Sequence, residues 1–395
     1  MNPQIARLHE ISGKSKKLIL GLMSGTSMDG LDMALCAFEG YGLSTNYEIL
    51  HFKTASFGPE FKAKIQAVFA KEQIHFPSLS TLNAEIGRTH ARLIQETLIS
   101  WNIDPADIDV IASHGQTVMH RPMRDGHLPH STLQIGDGDH IAAGTGIITL
   151  SDFRQKHIAA GGEGAPLAIY GDYFLFSKAG QDRVLLNMGG IGNFTYLPAN
   201  GDAAQVLVTD TGPGNTLIDA CIRKYFPGVE FDEDARIGLS GACHAGLLAA
   251  LMAQDFFQEA FPKSTGPEYF HLGIVEDLIE QNGWSISTED LVRTLTEFTA
   301  QSIVLALRLY VPVPAGELIA SGGGSRNPLI MKRLAELLPA WKMMVSDEIG
   351  IPSGAKEALL FALLANETLS DAGAQAGRRL GDSPWVTMGK ISFPF

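Results

Sequence analysis

The chain has 395 residues, more than one hydrophobic core usually organises, so two lobes are expected. Hydrophobic residues make up 45% of the chain and charged residues 18%, which predicts a folded globular protein and excludes a disordered one. The net charge of −13 excludes a general attraction for nucleic acid or anionic membranes, so any phosphate must be bound locally by backbone N–H groups or a metal ion.

The first half of the chain begins with a strand, a glycine-rich turn and a second strand. A helix is predicted over residues 80–101, where apolar residues recur at helical spacing. Residues 133–146 are rich in glycine, and residues 161–166 form a loop by composition. Apolar runs predict strands at residues 18–23, 31–38, 109–113 and 147–150.

The second half repeats the opening pattern of strand, glycine turn and strand, at residues 183–197. Two lobes built alike would each contribute one such turn. Ser287 is the predicted N-cap of a long helix, with Asp290 as its capping-box partner. Further strands are predicted at residues 206–209 and 317–320, and further helices from Thr216, from Leu329 and over residues 355–369.

The first glycine-rich turn, at residues 25–30, has the composition of a phosphate-binding loop. Glycines let the backbone approach a phosphate with its N–H groups exposed, and Thr26 and Ser27 add hydroxyl donors. Asp29 or Asp32 would hold a metal ion or its waters. An ordinary hairpin turn explains the same residues, so both interpretations stay open at this point.

Two glycine motifs in the second half allow a similar interpretation. Gly189 and Gly190 would form a second phosphate clamp, although a β-bulge or a close strand crossing also accounts for them. Gly322, Gly323 and Gly324 stand between a buried strand and a helix, where three glycines carry a large entropic cost. We interpret this run as a place where adenosine lies against the main chain near a helix N-terminus, the alternative being a flexible loop.

Asp210 ends an apolar strand and opens the sequence DTGPGN at residues 210–215. A carboxylate at a strand end is a candidate general base. The alternative is a charge that complements the dipole of the helix beginning at Thr216. Because Thr211 or Asn215 would equally cap that helix, Asp210 is free for chemistry.

Polar side chains near two other strand ends are candidates for sugar contacts. His114 and Gln116 follow a predicted strand, where a satisfied surface histidine is the alternative. Asp152 and Arg154 would contact substrate or form an ion pair with each other.

The segment KSTG at residues 263–266 would bind an anionic group through Lys263 and Ser264, unless it is simply an exposed loop. The sequence has no P-loop, no dinucleotide-binding fingerprint and no protein-kinase signature set, which excludes those nucleotide-binding folds.

A set of sequence blocks resembles the anhydro-N-acetylmuramic acid kinase family. The blocks are collinear from about residue 18 to the C-terminus, so together they are far more specific than any one of them. They are MSGTSMDG (23–30), SHGQT (113–117), LQIGD (133–137), DFR (152–154), GGEGAP (161–166), NMGGIGN (187–193), DTGPGN (210–215), KSTG (263–266) and GGGSRNP (322–328).

The resemblance implies an α/β, two-lobed actin/hexokinase-like (ribonuclease H-like) fold with a central ATP cleft. It implies conversion of 1,6-anhydro-N-acetylmuramic acid, ATP and water into N-acetylmuramate 6-phosphate and ADP, in cell-wall recycling, with Mg²⁺ as metal cofactor. Water would open the anhydro bridge at C1, and the released O6 would take the γ-phosphoryl group.

The resemblance also assigns roles to individual residues. It makes Asp210 the base that activates water, and Asp29 is the expected metal ligand. The expected substrate-binding residues are His114, Gln116, Asp152, Arg154, Lys263 and Ser264. The expected ATP-binding residues are Gly25, Thr26, Ser27, Met28, Asp29, Gly30, Leu31, Asp32, Gly189, Gly190, Gly322, Gly323, Gly324 and Asn327.

We expect residues 1–150 to form an N-terminal lobe with the first phosphate turn and the sugar contacts. Residues 151–395 would form a C-terminal lobe with the catalytic aspartate, the second glycine turn and the adenosine motif. The junction is placed between residues 150 and 166, and packing of the last segment on the first lobe is left open.

Compartment and partners follow from what the sequence lacks. Cys36, Cys221 and Cys243 are far apart and odd in number, which argues against a disulfide framework or a zinc site and fits a reducing compartment. With no signal peptide or membrane-spanning run, a cytoplasmic protein is expected. The expected partners are a small sugar and ATP, without nucleic acid or membrane, and a homodimer is left open.

Two other functions are alternatives to this one. The first is an ordinary hexose or N-acetylhexosamine kinase of the same fold, in which Asp210 would deprotonate a sugar hydroxyl directly. The second is an ATP-switched chaperone or filament protein, which would carry a peptide-binding module or polymer-forming inserts. The two lobes use the whole chain, which disfavours the second.

Overall fold

The computed structural model describes residues 1–25, 28–121, 129–260, 262–346, 354–370 and 378–395. The chain divides into two compact units. Unit 1 comprises Met1–Leu175 and Gly354–Phe395, and unit 2 comprises Phe176–Ser353. The first change of unit therefore comes later than the junction placed at residues 150–166, and the C-terminal segment belongs to unit 1.

The first segment of the chain contains helices and strands in mixed order. They are α1 (Pro3–Ser12), β1 (Lys16–Ser24), β2 (Gly30–Glu39), β3 (Asn46–Ser56), α2 (Pro59–Gln66), α3 (Phe76–Trp101), β4 (Val110–Arg121), β5 (Ser131–Ile135), α4 (Gly138–Thr145), β6 (Thr149–Ser151), α5 (Phe153–Ala159) and α6 (Ala168–Phe176).

Unit 2 begins with three strands, and the C-terminal segment adds one long helix and three short strands. The elements of unit 2 are β7 (Arg183–Met188), β8 (Ile191–Leu197), β9 (Leu207–Pro213), α7 (Thr216–Tyr225), α8 (Arg236–Ser240), α9 (Ala245–Met252), α10 (Leu272–Asn282), α11 (Thr288–Tyr310), β10 (Gly316–Ser321), α12 (Pro328–Leu337) and β11 (Trp341–Val345). Those of the C-terminal segment are α13 (Lys356–Ser370), β12 (Arg379–Leu380), β13 (Ser383–Pro384) and β14 (Lys390–Ser392).

Unit 1 is built on one sheet with the strand order β14-β6-β4-β1-β2-β3, and β5 pairs with β4. β1, β2 and β3 are antiparallel neighbours, whereas β4 is parallel to β1 and β6 is parallel to β4. Helix α13 covers this sheet so closely that a Cβ atom on Gly21 of β1 would lie 1.9 Å from the carbonyl oxygen of Ala358. This contact explains why a glycine interrupts the apolar run of β1.

Unit 2 repeats the same topology in a sheet with the order β11-β10-β7-β8-β9. β7, β8 and β9 are antiparallel, β10 is parallel to β7, and β11 is parallel to β10. In each unit, the first three strands along the chain form an antiparallel set. Two later strands then extend the sheet from the free side of the first strand and run parallel to it. This duplicated ribonuclease H-like arrangement confirms the predicted actin/hexokinase-like class. The hairpins β1–β2 and β7–β8 occupy equivalent positions in the two units.

Helix α11 is a long buried helix of unit 2 and begins as predicted. The Ser287 hydroxyl accepts the backbone N–H of Asp290 at 3.1 Å, which caps the helix. The Asp290 carboxylate accepts the N–H of Ala242 and also hydrogen-bonds the Ser287 side chain, so the predicted partners Ser287 and Asp290 are in contact. Leu295 and Phe298 are fully buried in the core of this unit.

Three boundaries differ from the sequence prediction. β4 continues to Arg121, so His114 and Gln116 lie inside a strand and not beyond its end. β9 continues to Pro213, so Asp210 lies near the middle of its strand. The glycine-rich zone contains helix α4, because glycine there serves close packing: a Cβ atom on Gly144 would lie 2.7 Å from the Cβ atom of Ala91 in α3.

No single helix among the described residues is long and apolar enough to cross a membrane. One bent pair, Glu233–Ser240 with Ala245–Met252 at an angle of 117°, passes on length and composition alone.

Candidate active site

The turn between β1 and β2 is tight, and its end packs into the core. The N–H of Met28 donates to the carbonyl oxygen of Gly25, and Met28 has a φ of +57° with a buried side chain. A Cβ atom on Gly30 would lie 2.5 Å from the carbonyl oxygen of Ala55, so this glycine serves the approach of β3. The side chain of Leu31 is fully buried and would offer nothing to a nucleotide.

The structure thus gives contacts or burial for four of the predicted ATP-binding residues, namely Gly25, Met28, Gly30 and Leu31. Thr26 and Ser27, which were also predicted to bind ATP, lie outside the residues that the structure describes.

Asp29 and Asp32 place two carboxylates at the start of β2. Asp29 is exposed, and Asp32 is half-buried with its Oδ1 atom accepting the Thr54 hydroxyl. Burial raises the pKa of Asp32, and the nearby charge of Asp29 raises it further. Such a pair favours a cation with hard oxygen ligands. Within the described residues, no group of three or more His, Cys, Asp or Glu side chains is placed to hold a metal ion.

Gln116 supports the first turn from inside unit 1. The Ser24 hydroxyl donates to Gln116 Oε1 at 2.6 Å, and Gln116 Nε2 donates to the carbonyl oxygen of Gly25 at 3.0 Å. Gln116 is fully buried. Its amide therefore holds the turn, and its contact with a sugar stays a prediction.

The buried His114 and the partly buried Arg154 are hydrogen-bonded to each other in the same unit. His114 is 1% exposed, its Nδ1 atom bonds the carbonyl oxygen of Gly115, and its Nε2 atom bonds Nε of Arg154 at 2.9 Å. Burial lowers the pKa of His114 to about 3, and the charge of Arg154 contributes to the shift. Both ring nitrogens are thus engaged within the protein, and the sugar contact of His114 stays a prediction.

Asp152 stands at the N-terminus of α5 with a φ of +55° and forms an ion pair with Lys390 of β14. The predicted alternative of an Asp152–Arg154 ion pair is therefore wrong. The two side chains sit two residues apart at the start of α5 and point to different partners. Lys390 comes from the far end of the chain, so no local pattern indicated it.

The glycine turn between β7 and β8 is held by the segment that follows β9. The N–H groups of Gly214 and Asn215 donate to the carbonyl oxygens of Gly190 and Gly189, each at 2.8 Å. The Asn215 side-chain amide donates to the carbonyl oxygens of Met188 and Gly189. Asn215 therefore fixes the turn instead of capping α7. The N–H groups of Gly189 and Gly190 donate to no described residue, so they are available to an anion.

The third glycine motif packs onto the same turn. Gly322 has a φ of +80°, and a Cβ atom on it would lie 2.6 Å from the carbonyl oxygen of Met188. A Cβ atom on Gly324 would lie 2.7 Å from the Cβ atom of Met188. Gly322 and Gly323 are exposed, so the close packing leaves an open main-chain surface beside the turn.

Asn327 follows this motif and caps α12. Its Oδ1 atom accepts the N–H groups of Leu329 and Ile330, at 3.0 and 3.1 Å. The side-chain oxygen is thus used to cap the helix that follows the third glycine motif. Pro328 at the first helical position completes the helix start.

Asp210 is half-buried in β9 and is held from one side. Its Oδ2 atom accepts the backbone N–H of Thr265 at 2.8 Å, and its own N–H donates to the carbonyl oxygen of Lys263 at 3.0 Å. Burial raises the pKa of Asp210, and the bond from Thr265 opposes the shift. Oδ1 accepts from no described residue, so one oxygen is oriented and the other is available for a proton.

Lys263 anchors the segment that holds Asp210. Its ammonium group donates to the carbonyl oxygen of Phe256 at 2.7 Å and lies 4.3 Å from the centre of the Phe256 ring. Burial lowers the pKa of Lys263. The ammonium is therefore held inside unit 2, and its role as an anion ligand stays a prediction. Ser264 is exposed, and Thr265, which the sequence analysis did not single out, supplies the functional N–H.

Comparison with known proteins gives one consistent family. The family model for anhydro-N-acetylmuramic acid kinase matches residues 17–394. A protein of that name from Pseudoalteromonas atlantica is 44% identical over the full length of both chains, and one from Caldanaerobacter subterraneus is 37% identical over 98% of this chain and 99% of that one. Among solved structures, component A of (R)-2-hydroxyglutaryl-CoA dehydratase from Acidaminococcus fermentans aligns with a TM-score of 0.43 at 14% identity, over 89% of this chain and 99% of that chain.

Proposed function

The chain belongs to the anhydro-N-acetylmuramic acid kinase family, and we propose that it converts 1,6-anhydro-N-acetylmuramic acid, ATP and water into N-acetylmuramate 6-phosphate and ADP. The reaction joins two events at one sugar. Water adds to C1 while the bond from C1 to the bridging O6 breaks. O6 then forms a bond to the γ-phosphorus as the bond from that phosphorus to the bridging oxygen of ADP breaks. The proton lost by water passes to a general base.

The setting of the Asp210 carboxylate is the observation that carries this proposal. Oδ2 is fixed by the N–H of Thr265, so the carboxylate cannot turn freely, and Oδ1 is available to take the proton from water. Burial moves the pKa of this group upward from that of a free aspartate. A base with a higher pKa removes a proton more effectively, provided that it stays ionised at the working pH.

The glycine turns support the phosphate and adenosine roles. In unit 2, the free N–H groups of Gly189 and Gly190 would hydrogen-bond phosphate oxygens. The exposed main chain at Gly322 and Gly323 would take the adenosine part of the nucleotide. These donors stabilise charge without adding a positive side chain, which fits a protein with a net charge of −13.

Mg²⁺ fits the two carboxylates of unit 1. Asp29 and Asp32 repel each other electrostatically, and oxygen ligands of this kind suit a hard divalent cation that keeps most of its waters. When bound, Mg²⁺ would neutralise phosphate charge during transfer. Asp29, which is exposed, and Asp32, which has one oxygen bonded to Thr54, are the residues that would hold the ion.

We also place this reaction in the cytoplasm, in the recycling of cell-wall sugars. The substrate class supports the recycling role, since 1,6-anhydromuramate is a fragment of the bacterial wall. Fractionation of cells expressing a tagged chain would test the location, and recovery in the membrane fraction would contradict it.

A coupled ADP-release assay tests the activity directly. Purified protein is given Mg-ATP with 1,6-anhydro-N-acetylmuramic acid, with N-acetylglucosamine or with glucose. We expect ADP release only with the anhydro sugar. ADP release with N-acetylglucosamine but not with the anhydro sugar would instead favour an ordinary N-acetylhexosamine kinase.

Isotope labelling tests the use of water. In ¹⁸O-water, the product is expected to carry ¹⁸O at the anomeric carbon, whereas direct phosphorylation of a hydroxyl would leave that oxygen unlabelled. Unlabelled product incubated in ¹⁸O-water for the same time is the control for spontaneous exchange.

A further inference from the structure

Helix α11 holds a buried hydroxyl group that bonds out of the helix. Thr296 and Thr299 are both fully buried in its middle. A threonine inside a helix usually donates to a carbonyl oxygen three or four residues earlier, as Thr296 does to Val292 at 2.8 Å. The Thr299 hydroxyl instead donates to the carbonyl oxygen of Gly214 at 2.8 Å, across 85 positions of the chain. Thr299 therefore ties α11 to the segment that follows β9.

Gly214 connects that hydroxyl to the glycine turn between β7 and β8. Its buried carbonyl oxygen accepts from Thr299 and from no other group among the described residues. Its N–H donates to the carbonyl oxygen of Gly190 at 2.8 Å. A Cβ atom on Gly214 would lie 2.3 Å from the carbonyl oxygen of Gly189, so the two backbones are in contact. A shift of Gly214 would therefore move the turn.

The direction of the N–H groups in the turn depends on the same segment. The side-chain amide of Asn215 donates to the carbonyl oxygens of Met188 and Gly189. In a trans peptide unit, the N–H lies opposite to the C=O. The N–H groups of Gly189 and Gly190, which share peptide units with these two carbonyls, therefore point away from Asn215 and are available to an anion.

We propose that Thr299 is a positioning residue for the phosphate groups of ATP, acting through Gly214 on the Gly189–Gly190 turn. The inference rests on the proposed function, which assigns that turn to phosphate. Without the hydroxyl, the buried carbonyl oxygen of Gly214 would lose its partner, and a buried carbonyl left unpaired is costly. The segment would then shift to pair this oxygen elsewhere, and the N–H groups of the turn would lose their alignment.

Binding of ADP and of adenosine separates the phosphate contacts from the rest of the nucleotide. Thr299→Val keeps the shape of the side chain and removes the hydroxyl. In buffer with Mg²⁺, calorimetry is expected to show a loss of about five- to twentyfold in the affinity for ADP. Adenosine has no phosphate, so its affinity, measured by competition with ADP, should stay within about twofold of the wild-type value.

A second substitution of Thr299 and one of Thr296 provide the controls. Thr299→Ser restores the hydroxyl without the methyl group and should keep the affinity for ADP within about threefold of the wild-type value. Thr296→Val removes an equally buried hydroxyl that donates within the helix, and it changes the helix propensity of α11 in the same way. It should leave the affinity for ADP unchanged. If Thr299→Val does not fold, Thr299→Ala replaces it with the same expectation.

The outcomes separate this inference from the proposed function. A wild-type protein that fails to bind ADP would reject the nucleotide site of the proposed function, and this inference with it. A wild type that binds ADP, together with an unchanged affinity for ADP in Thr299→Val, would overturn the positioning role alone. Equal losses of ADP and adenosine affinity, or a loss in Thr299→Ser as large as in Thr299→Val, would also overturn it.

Discussion

The backbone N–H of Thr265 donates to Oδ2 of Asp210 at 2.8 Å, across 55 positions of the chain. This bond decides which carboxylate oxygen is available for chemistry, and it opposes the rise in the pKa of Asp210 that burial causes. The bond comes from the main chain, so the identity of the side chain at position 265 is secondary. Its strength depends on how firmly the segment 263–265 is held.

Asp210→Asn is expected to lower turnover by roughly 10²–10⁴-fold, the usual range for loss of a general base. The amide oxygen of asparagine still accepts the N–H of Thr265, so folding and ATP binding should persist, as measured by calorimetry with an ATP analogue. Asp219→Asn is the matched control, because burial also raises the pKa of Asp219, on α7. Near-normal turnover in Asp210→Asn would rule out the base role.

The pH dependence of kcat/KM should report Asp210. The active form is the carboxylate, so activity falls as the pH drops through its pKa, and because that pKa is raised this acid limb lies above the range of a free aspartate. Thr265→Pro removes the N–H and should move the limb to still higher pH. Thr265→Ala keeps the N–H and should leave it in place, and an equal shift in both variants would contradict the assignment.

Lys263→Met should loosen the segment that holds Asp210. The variant keeps the aliphatic stem but loses the bond to Phe256 and the contact with its ring, which together contribute about 1–2 kcal/mol to the free energy of unfolding. We expect kcat to fall several-fold with the KM for ATP unchanged. Lys224→Met is the control, because its ammonium lies over the ring of Tyr225 at the surface and holds no catalytic segment. Unchanged kcat in Lys263→Met would refute the anchoring role.

Gly322→Ala tests the packing of the third glycine motif. The new Cβ atom would meet the carbonyl oxygen of Met188 at 2.6 Å in a φ region that other residues avoid, so a loss of about 1–3 kcal/mol in stability is expected. Because Met188 precedes the Gly189–Gly190 turn, the KM for ATP should rise as well.

Gly180→Ala separates backbone strain from this steric effect. Gly180 has a φ of +76° with nothing within 4 Å of the added atom, so a smaller loss of stability and an unchanged KM for ATP are expected. Urea unfolding and ATP titration of both variants provide the measurements. An equal KM for ATP in the two variants would argue against a nucleotide at this turn.

Much of the fold was predictable because its signals are local. Apolar runs predicted β1, β2, β7 and β10, and the glycines between paired strands predicted both hairpins. Ser287 predicted the start of α11, since an N-cap acts on the residues directly after it. The ends of β4 and β9 were missed because polar residues such as His114 and Asp210 continue a strand when neighbouring strands pair with them.

The partners of the polar side chains were not predictable from local pattern. Local pattern offers Lys263 either as an anion ligand or as part of an exposed loop, whereas its ammonium is held by Phe256 and neighbouring aromatic rings. Local pattern offers Asp152 either a substrate contact or an ion pair with Arg154, whereas the carboxylate bonds Lys390, 238 positions away. Gln116 supports the turn at Gly25 because β1 and β4 are adjacent in the sheet, a consequence of topology and not of spacing.

The sequence by itself determined the two hairpins, the glycine motifs and the family, because those depend on residue type and order along the chain. Only the tertiary structure decided which oxygen of Asp210 has no hydrogen bond from a described residue and which residue binds Arg154. It also decided which charged side chains, such as Lys263, have their partners within the protein. Those outcomes depend on hydrogen bonds between residues far apart in sequence. Such bonds exist only after the sheets have set the register and burial has removed competing water.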